Sequence, residues 1–149
     1  MGVIPEISAE DFLELVTQGS SKELLEKMKF SEHPDFKSYM QSHSKFEMVV
    51  VDVRDKPEID FCSLQSITSV HPSNKYAEVP VKTLVTFESK EEIQSKTGLD
   101  PNLVIMCLCK SGWRGGKAAI HLKRAGITSF SVAKGFMGIV EKLGKNIKF

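Results

Sequence analysis

Cys109-Lys110-Ser111-Gly112-Trp113-Arg114 is the segment of this chain whose residue types and spacing suit nucleophilic chemistry. A continuous apolar run, Leu103 to Cys109, delivers a thiol to the end of an expected buried strand, and a helical pattern starts at about Gly115. The residues between them can curl so that successive backbone N–H groups point inward. Such a nest, backed by the positive end of a helix, stabilises an anion: a thiolate, a persulfide or a bound oxyanion. Gly112 permits a backbone turn that a side chain would forbid. Lys110 and Arg114 bring positive charge near the sulfur, and Ser111 offers a hydroxyl donor. Strand, Cys, Gly and helix alone leave two readings open, a nucleophile and a packed thiol, because Cys is among the residue types most often buried. Cys107 lies two positions earlier, on the same side of the strand. It reads as a core thiol ahead of a regulatory partner sulfur, and Cys62 reads as a loop or core thiol.

The elements that must hold this loop alternate between helix and strand. Ser8-Ala9-Glu10-Asp11 resembles a capping box and opens a helix that Gly19 can stop. Further helices are expected over Lys22 to Phe30 and after Pro34. Phe46 to Val53 is rich in Val and lacks alternation, the pattern of a strand covered on both faces. Ser66 to Val70 and Thr83 to Phe87 are expected as short strands, and the rest of 54–82 as loop. Ser89 caps a helix ending at Gly98, Gly115 to Ala125 forms another with Gly126 as its cap, Ser129 to Ala133 is a last strand, and a final helix ends at Gly144. Alternating elements of this kind predict an α/β fold with a largely parallel sheet. Ligands in such sheets bind beyond the carboxyl ends of the strands. That rule selects Cys109 and, one strand away, Asp52-Val53-Arg54. Asp52 and Arg54 read either as a salt bridge that orients the active loop or as caps of strand-end polar groups, with the loop-facing role favoured for Arg54.

Composition narrows the class. Apolar residues make up 41% and charged residues 26% of 149, which suits one globular domain over residues 1–149. A net charge of +1 gives no global attraction to nucleic acid or membrane. The apolar runs are too short to span a bilayer, and Gly2 lacks the downstream Ser or Thr of a myristoylation signal. Three cysteines argue against a disulfide framework and for a reducing compartment, expected to be cytoplasmic, with an organelle left open if a presequence has been removed. No histidine pair has zinc spacing, and no metal is expected.

The loop is similar to the Cys-x-x-Gly-x-Arg active loop of single-domain rhodaneses. The likeness continues through Lys117-Ala118-Ala119, Leu122 and Ala125-Gly126. Val51-Asp52-Val53-Arg54 resembles the family's Asp-Val-Arg strand end, Ile7-Ser8-Ala9-Glu10 its opening, and Lys134-Gly135-Phe136 the segment before its last helix. The segment after Arg54 departs from the family's Gly-His-Ile-Pro-Gly-Ala pattern, residues 20–45 are longer than a minimal member needs, and Trp113 puts a large ring within the loop. The resemblance implies a five-stranded, mainly parallel sheet with helices on both faces. It also implies a ping-pong sulfur transfer: Cys109 takes sulfane sulfur from a donor such as thiosulfate and passes it to cyanide or a thiol, a protein sulfur acceptor being left open. Lys110, Ser111, Gly112, Trp113, Arg114 and Arg54 are the expected substrate-binding residues, Asp52 a structural neighbour, and no cofactor is implied. Two rivals are a non-catalytic rhodanese-fold binding or sulfur-carrier module, and a cysteine phosphatase or arsenate reductase of the related fold. The latter phosphatases use Cys-x5-Arg, whereas Cys109 to Arg114 is Cys-x4-Arg.

Overall fold

A computed structural model of the chain describes residues 3–149; Gly2, weighed above as a lipidation position, lies outside them. Five strands form one parallel sheet in the order β1-β5-β4-β2-β3. They are β1 (Glu6–Ile7), β2 (Met48–Asp52), β3 (Lys75–Glu78), β4 (Val104–Leu108) and β5 (Ser129–Val132). The two Val- and Ile-rich runs, β2 and β4, are adjacent and buried throughout, because helices cover both faces. Alternate residues divide between two cores. Met48, Val50, Met106, Leu108 and Phe130 pack with α1 (Ala9–Gln18), α3 (Pro34–Ser42) and α9 (Gly135–Lys142). Val49, Val51, Ile105 and Cys107 pack on the other face, against α7 (Lys90–Thr97) and α8 (Trp113–Arg124).

Local capping signals set the helix starts. Ser8 Oγ accepts the Asp11 N–H at 3.1 Å, and Ser89 Oγ accepts that of Glu92 at 3.0 Å. Gly98, with φ of 77°, ends α7 in the left-handed conformation that glycine adopts without strain. The long segment before β2 is mostly helical. The helix expected to run to Phe30 stops at Lys27 (α2, Lys22–Lys27), and a 3₁₀ turn over Lys29–Glu32 turns Phe30 inward against Phe36 and Phe130.

Between Arg54 and Phe87 the expectations fail in a physically instructive way. Ser66 to Val70 is not a strand: Leu64–Ile67 is a helical turn, α5, that buries Leu64 and Ile67. The third strand is instead Lys75–Glu78, a partly exposed edge strand whose residues carry no apolar run. Its existence depends on hydrogen bonding to β2, with Val49 opposite Lys75 and Asp52 opposite Glu78. Thr83 to Phe87 is likewise no strand. Pro80, at φ −55°, leads into the short helix α6 (Val81–Leu84), which buries Leu84. The supposed loop after Arg54 contains α4 (Lys56–Phe61), capped reciprocally by Asp55 and Glu58. Strand β1 is only two residues long, too short for any periodic signal, and pairs with Ser131 and Val132 of β5. No helix among the described residues is long and apolar enough to cross a membrane.

Candidate active site

Cys109 follows directly on β4, at the carboxyl edge of the sheet, and α8 begins at Trp113, two residues earlier than its pattern predicts. The cradle is therefore short. The Gly112 N–H donates to Cys109 Sγ at 3.0 Å and the Gly115 N–H at 3.2 Å. Two amides at the start of a twelve-residue helix converge on one sulfur, an arrangement that stabilises negative charge there. Glycine is needed at both positions. Gly112 has φ of 99°, and a Cβ on Gly115 would lie 2.9 Å from Ser131 Oγ and 3.0 Å from the Cys107 carbonyl oxygen.

The outer side of the loop is held by α9. The Phe136 N–H donates to the Cys109 carbonyl at 2.8 Å and the Met137 N–H to the Lys110 carbonyl at 3.0 Å. These two bonds tie the first turn of the loop to the start of α9. The approach is close enough that a Cβ on Gly135, at φ 53°, would collide with the Cys109 carbonyl. Lys134 beside it also has positive φ, 61°, an uncommon value for a residue with a side chain.

Cys109 is 1% exposed and packs in the same core as Cys107. Burial pushes the Cys107 thiol well above its ordinary value, with Cys109 adding to the effect, so Cys107 remains a neutral core thiol. Lys110 is half-buried and Ser111 exposed at the rim. Trp113 stands out from the loop with 83% of its surface exposed.

The two arginines, expected to bind substrate, are each paired with a carboxylate. Arg114 forms a bidentate pair with Glu58 of α4, at 2.6 and 2.8 Å. Arg54 is buried and turns back on Asp52: Nε bonds Oδ1 at 3.0 Å and Nη2 bonds Oδ2 at 2.8 Å. Nη2 also reaches the Cys62 carbonyl at 2.7 Å, and the guanidinium carbon lies 3.8 Å from the centre of the Phe136 ring. The Asp52–Arg54 pair thus exists as expected, but it braces α4 and Phe136. Phe136 in turn holds the Cys109 carbonyl. The placement has a physical reason: a guanidinium buried beside a carboxylate satisfies its donors there.

Glu58 is the site residue the sequence reading lacks. Its signal was the Asp55…Glu58 capping-box spacing, obscured because 54–82 reads as loop. The Asp55 N–H donates to Glu58 at 3.0 Å, so one carboxylate starts α4 and clamps the loop. Bonding to Arg114, with support from the Asp55 amide, outweighs desolvation and holds the Glu58 carboxyl down to about 2 from 4.5. A depressed carboxyl stabilises the fold above its unfolded value, and this contribution is lost as pH falls toward the folded value. Urea midpoints measured between neutral pH and pH ~2 should therefore fall more steeply below about pH 5 for the natural chain than for Glu58→Gln, whose midpoint starts lower. Parallel curves would show that the clamp does not stabilise the fold.

A hollow of about 390 Å³ lies beside the loop, lined by Arg54, Pro57, Glu58, Phe61 and Lys110 together with Lys148 and Phe149. A larger one, about 740 Å³, borders Leu25, Phe36, Met40 and Phe46, before the start of β2 and away from the carboxyl edge. Among the described residues no three His, Cys, Asp or Glu side chains gather as a metal-binding group.

A parallel α/β domain with a cysteine-headed amide cradle at its carboxyl edge defines a small class of proteins. The chain belongs to the rhodanese-like domain family, whose model matches residues 35–142. Among solved structures it is similar to a rhodanese-related protein from Thermoplasma volcanium, at 18% identity and TM-score 0.53, covering 93% of this chain and 92% of that one. It is similar also to a single-domain sulfurtransferase of Saccharomyces cerevisiae, at 16% identity and TM-score 0.52, covering 100% and 98%. A third, a protein of unknown function and possible tyrosine phosphatase from Rhodopseudomonas palustris, matches at 16% identity and TM-score 0.52 over 97% and 85%. At these identities the likeness shows the fold. No curated protein matches the chain.

Proposed function

We propose that the chain is a sulfurtransferase that carries sulfane sulfur on Cys109. The observation that supports this reading best is the pair of amides 3.0 and 3.2 Å from Cys109 Sγ, within a Cys-x4-Arg loop. The thiolate attacks the outer sulfur of thiosulfate. The S–S bond of the donor breaks, sulfite leaves with the bonding pair, and Cys109 becomes a persulfide anion. Cyanide or a thiolate then attacks the terminal sulfur, and the Cys109 thiolate is regenerated. The two amides stabilise anionic sulfur at each stage. The Glu58–Arg114 clamp and the α9 amides hold the loop in shape, so little reorganisation accompanies the transfer. The test is incubation with thiosulfate followed by intact mass: a gain of one sulfur atom, removed by cyanide, is the expected result. A chain that never gains sulfur would instead be a binding module.

Phosphatase chemistry is the rival that a structural likeness raises. A cradle this short brings its amides onto the cysteine sulfur itself, which suits one added sulfur better than a tetrahedral phosphate, and in-line attack on phosphorus tolerates little misplacement. Turnover of an aryl phosphate should stay at background. Robust phosphate release that depends on Cys109 would overturn the sulfur-transfer reading.

A further inference from the structure

We propose that the hollow before β2 binds a small amphipathic anion, an alkyl carboxylate of medium chain length. It lies away from the Cys109 loop, and the proposal is independent of the sulfur-transfer reading. Every residue that lines the hollow falls between Ser20 and Phe46. This stretch holds α2, the 3₁₀ turn and α3, and it is longer than a minimal family member needs. The family model begins only at residue 35, so part of the lining precedes it. The chain thus folds a segment of its own around a space of about 740 Å³, within the range of small-molecule pockets.

The inner wall is apolar and stiff. Leu25, Phe36 and Phe46 belong to the core and also face the hollow. The Phe36 and Phe46 rings lie 5.6 Å apart, and Phe30 braces them at 5.2 and 5.9 Å. Rings packed in this way cannot close the space without giving up their mutual contacts. His43 is pinned as well: its Nδ1–H donates to the Tyr39 carbonyl at 2.9 Å, and its ring stacks on Tyr39 at 3.8 Å. Met40, half-buried, is the adaptable part of the wall, because an unbranched thioether adjusts to an alkyl chain. A chain laid along this wall would remove apolar surface from water.

The mouth is polar and, on balance, positive. Lys22 and Lys45 border it, and Glu26 is the one acid in the lining described. Lys22 forms no ion pair among the described residues. Lys45 meets only Glu47, at 3.9 Å and with both side chains exposed, a contact worth little in water. Ser20 and Ser44 add hydroxyl donors. A carboxylate at the mouth would meet two lysines and these hydroxyls while its chain lies against Phe36, Met40 and Phe46. A cationic amphiphile would reach the same wall but meet the lysines with the wrong sign, and this asymmetry selects the anion.

The experiment titrates hexanoate, octanoate and decanoate calorimetrically, below their micelle-forming concentrations, into the natural chain and three variants whose fold is checked by circular dichroism. Decanoate should bind once per chain, and affinity should rise about fourfold per methylene, the scale of burying each one. Decyltrimethylammonium should bind at least about tenfold more weakly than decanoate, because like charges at the mouth oppose it. Met40→Glu, which puts a carboxylate into the wall, should weaken decanoate binding about tenfold or more. Lys45→Glu lies on the surface and cannot disturb the core; it should cost about fivefold, the scale of one exposed charge contact. Phe61→Ala, in the hollow beside Cys109, should leave decanoate binding unchanged. No saturable binding, or binding indifferent to both Met40→Glu and Lys45→Glu, overturns the proposal. Binding lost in Phe61→Ala instead would place the ligand in the other hollow, and equal affinity for the quaternary ammonium would remove the preference for an anion; either result overturns it. Sedimentation velocity covers the remaining occupant: a dimer of the natural chain that Met40→Glu dissociates would mean that a second copy fills the hollow, and the ligand site would be withdrawn.

Discussion

Cys109→Ser should lose sulfur transfer by at least about a thousandfold, the scale on which removal of a catalytic nucleophile is felt, while its circular dichroism and urea midpoint change little. Serine keeps the shape of the site and can accept the Gly112 and Gly115 amides that now serve Sγ at 3.0 and 3.2 Å. It cannot hold a persulfide. Intact mass after thiosulfate treatment should show no added sulfur on the variant and one on the natural chain. Cys107→Ser is the matched control. Cys107 is fully buried, and its thiol is pushed up by burial, so it should form no persulfide and its variant should keep substantial activity. Equal losses from the two variants would mean that the active sulfur has been misassigned. Retention of most activity by Cys109→Ser would remove the proposed mechanism altogether.

Arg114→Ala should raise the apparent KM for thiosulfate about ten- to a hundredfold, the scale of leaving the charged partner of a bidentate pair unmatched, about 1.5–3 kcal/mol. The structure changes the reason for expecting this. Arg114 does not wait for substrate with free donors; both its terminal nitrogens are on Glu58, at 2.6 and 2.8 Å. Removing it unties the start of α8 from α4. It also leaves the Glu58 carboxylate unpaired beside a site that must admit an anion. Two further variants separate these effects. Arg114→Lys should rescue poorly, because an ammonium cannot reproduce the two-pronged contact. The double variant Arg114→Ala with Glu58→Ala should be less impaired than the sum of the two single ones, because the stranded carboxylate is gone. An unchanged KM in Arg114→Ala with an intact fold would take Arg114 out of the site, and strict additivity would show that the clamp is not a unit.

The loop that carries the proposed chemistry was legible in the sequence because it is local. A Val-, Ile- and Leu-rich run, a cysteine, a glycine and a helix start lie within a few residues, and chain stiffness brings the amides of such a segment together whatever surrounds it. The same holds for the caps at Ser8 and Ser89 and for the two central strands, whose apolar residues report burial on both faces. The family pattern at Asp52-Val53-Arg54 likewise located a real ion pair. What the sequence left undecided is whatever depends on a partner distant along the chain. Lys75–Glu78 is a strand because β2 offers it hydrogen bonds, not because Lys-Tyr-Ala-Glu favours one. Ser66 to Val70 lacks that partner and buries its apolar residues as a helical turn instead. Arg114 is a cation beside the Cys109 loop, and composition cannot say which carboxylate it will find. Tertiary packing sets Glu58 against it, across fifty-six positions, and it brings Phe61 and Phe149 to the same hollow. Short-range order follows from residue type through sterics and capping. The pairing of charges and the walls of the site follow from which elements the sheet places side by side.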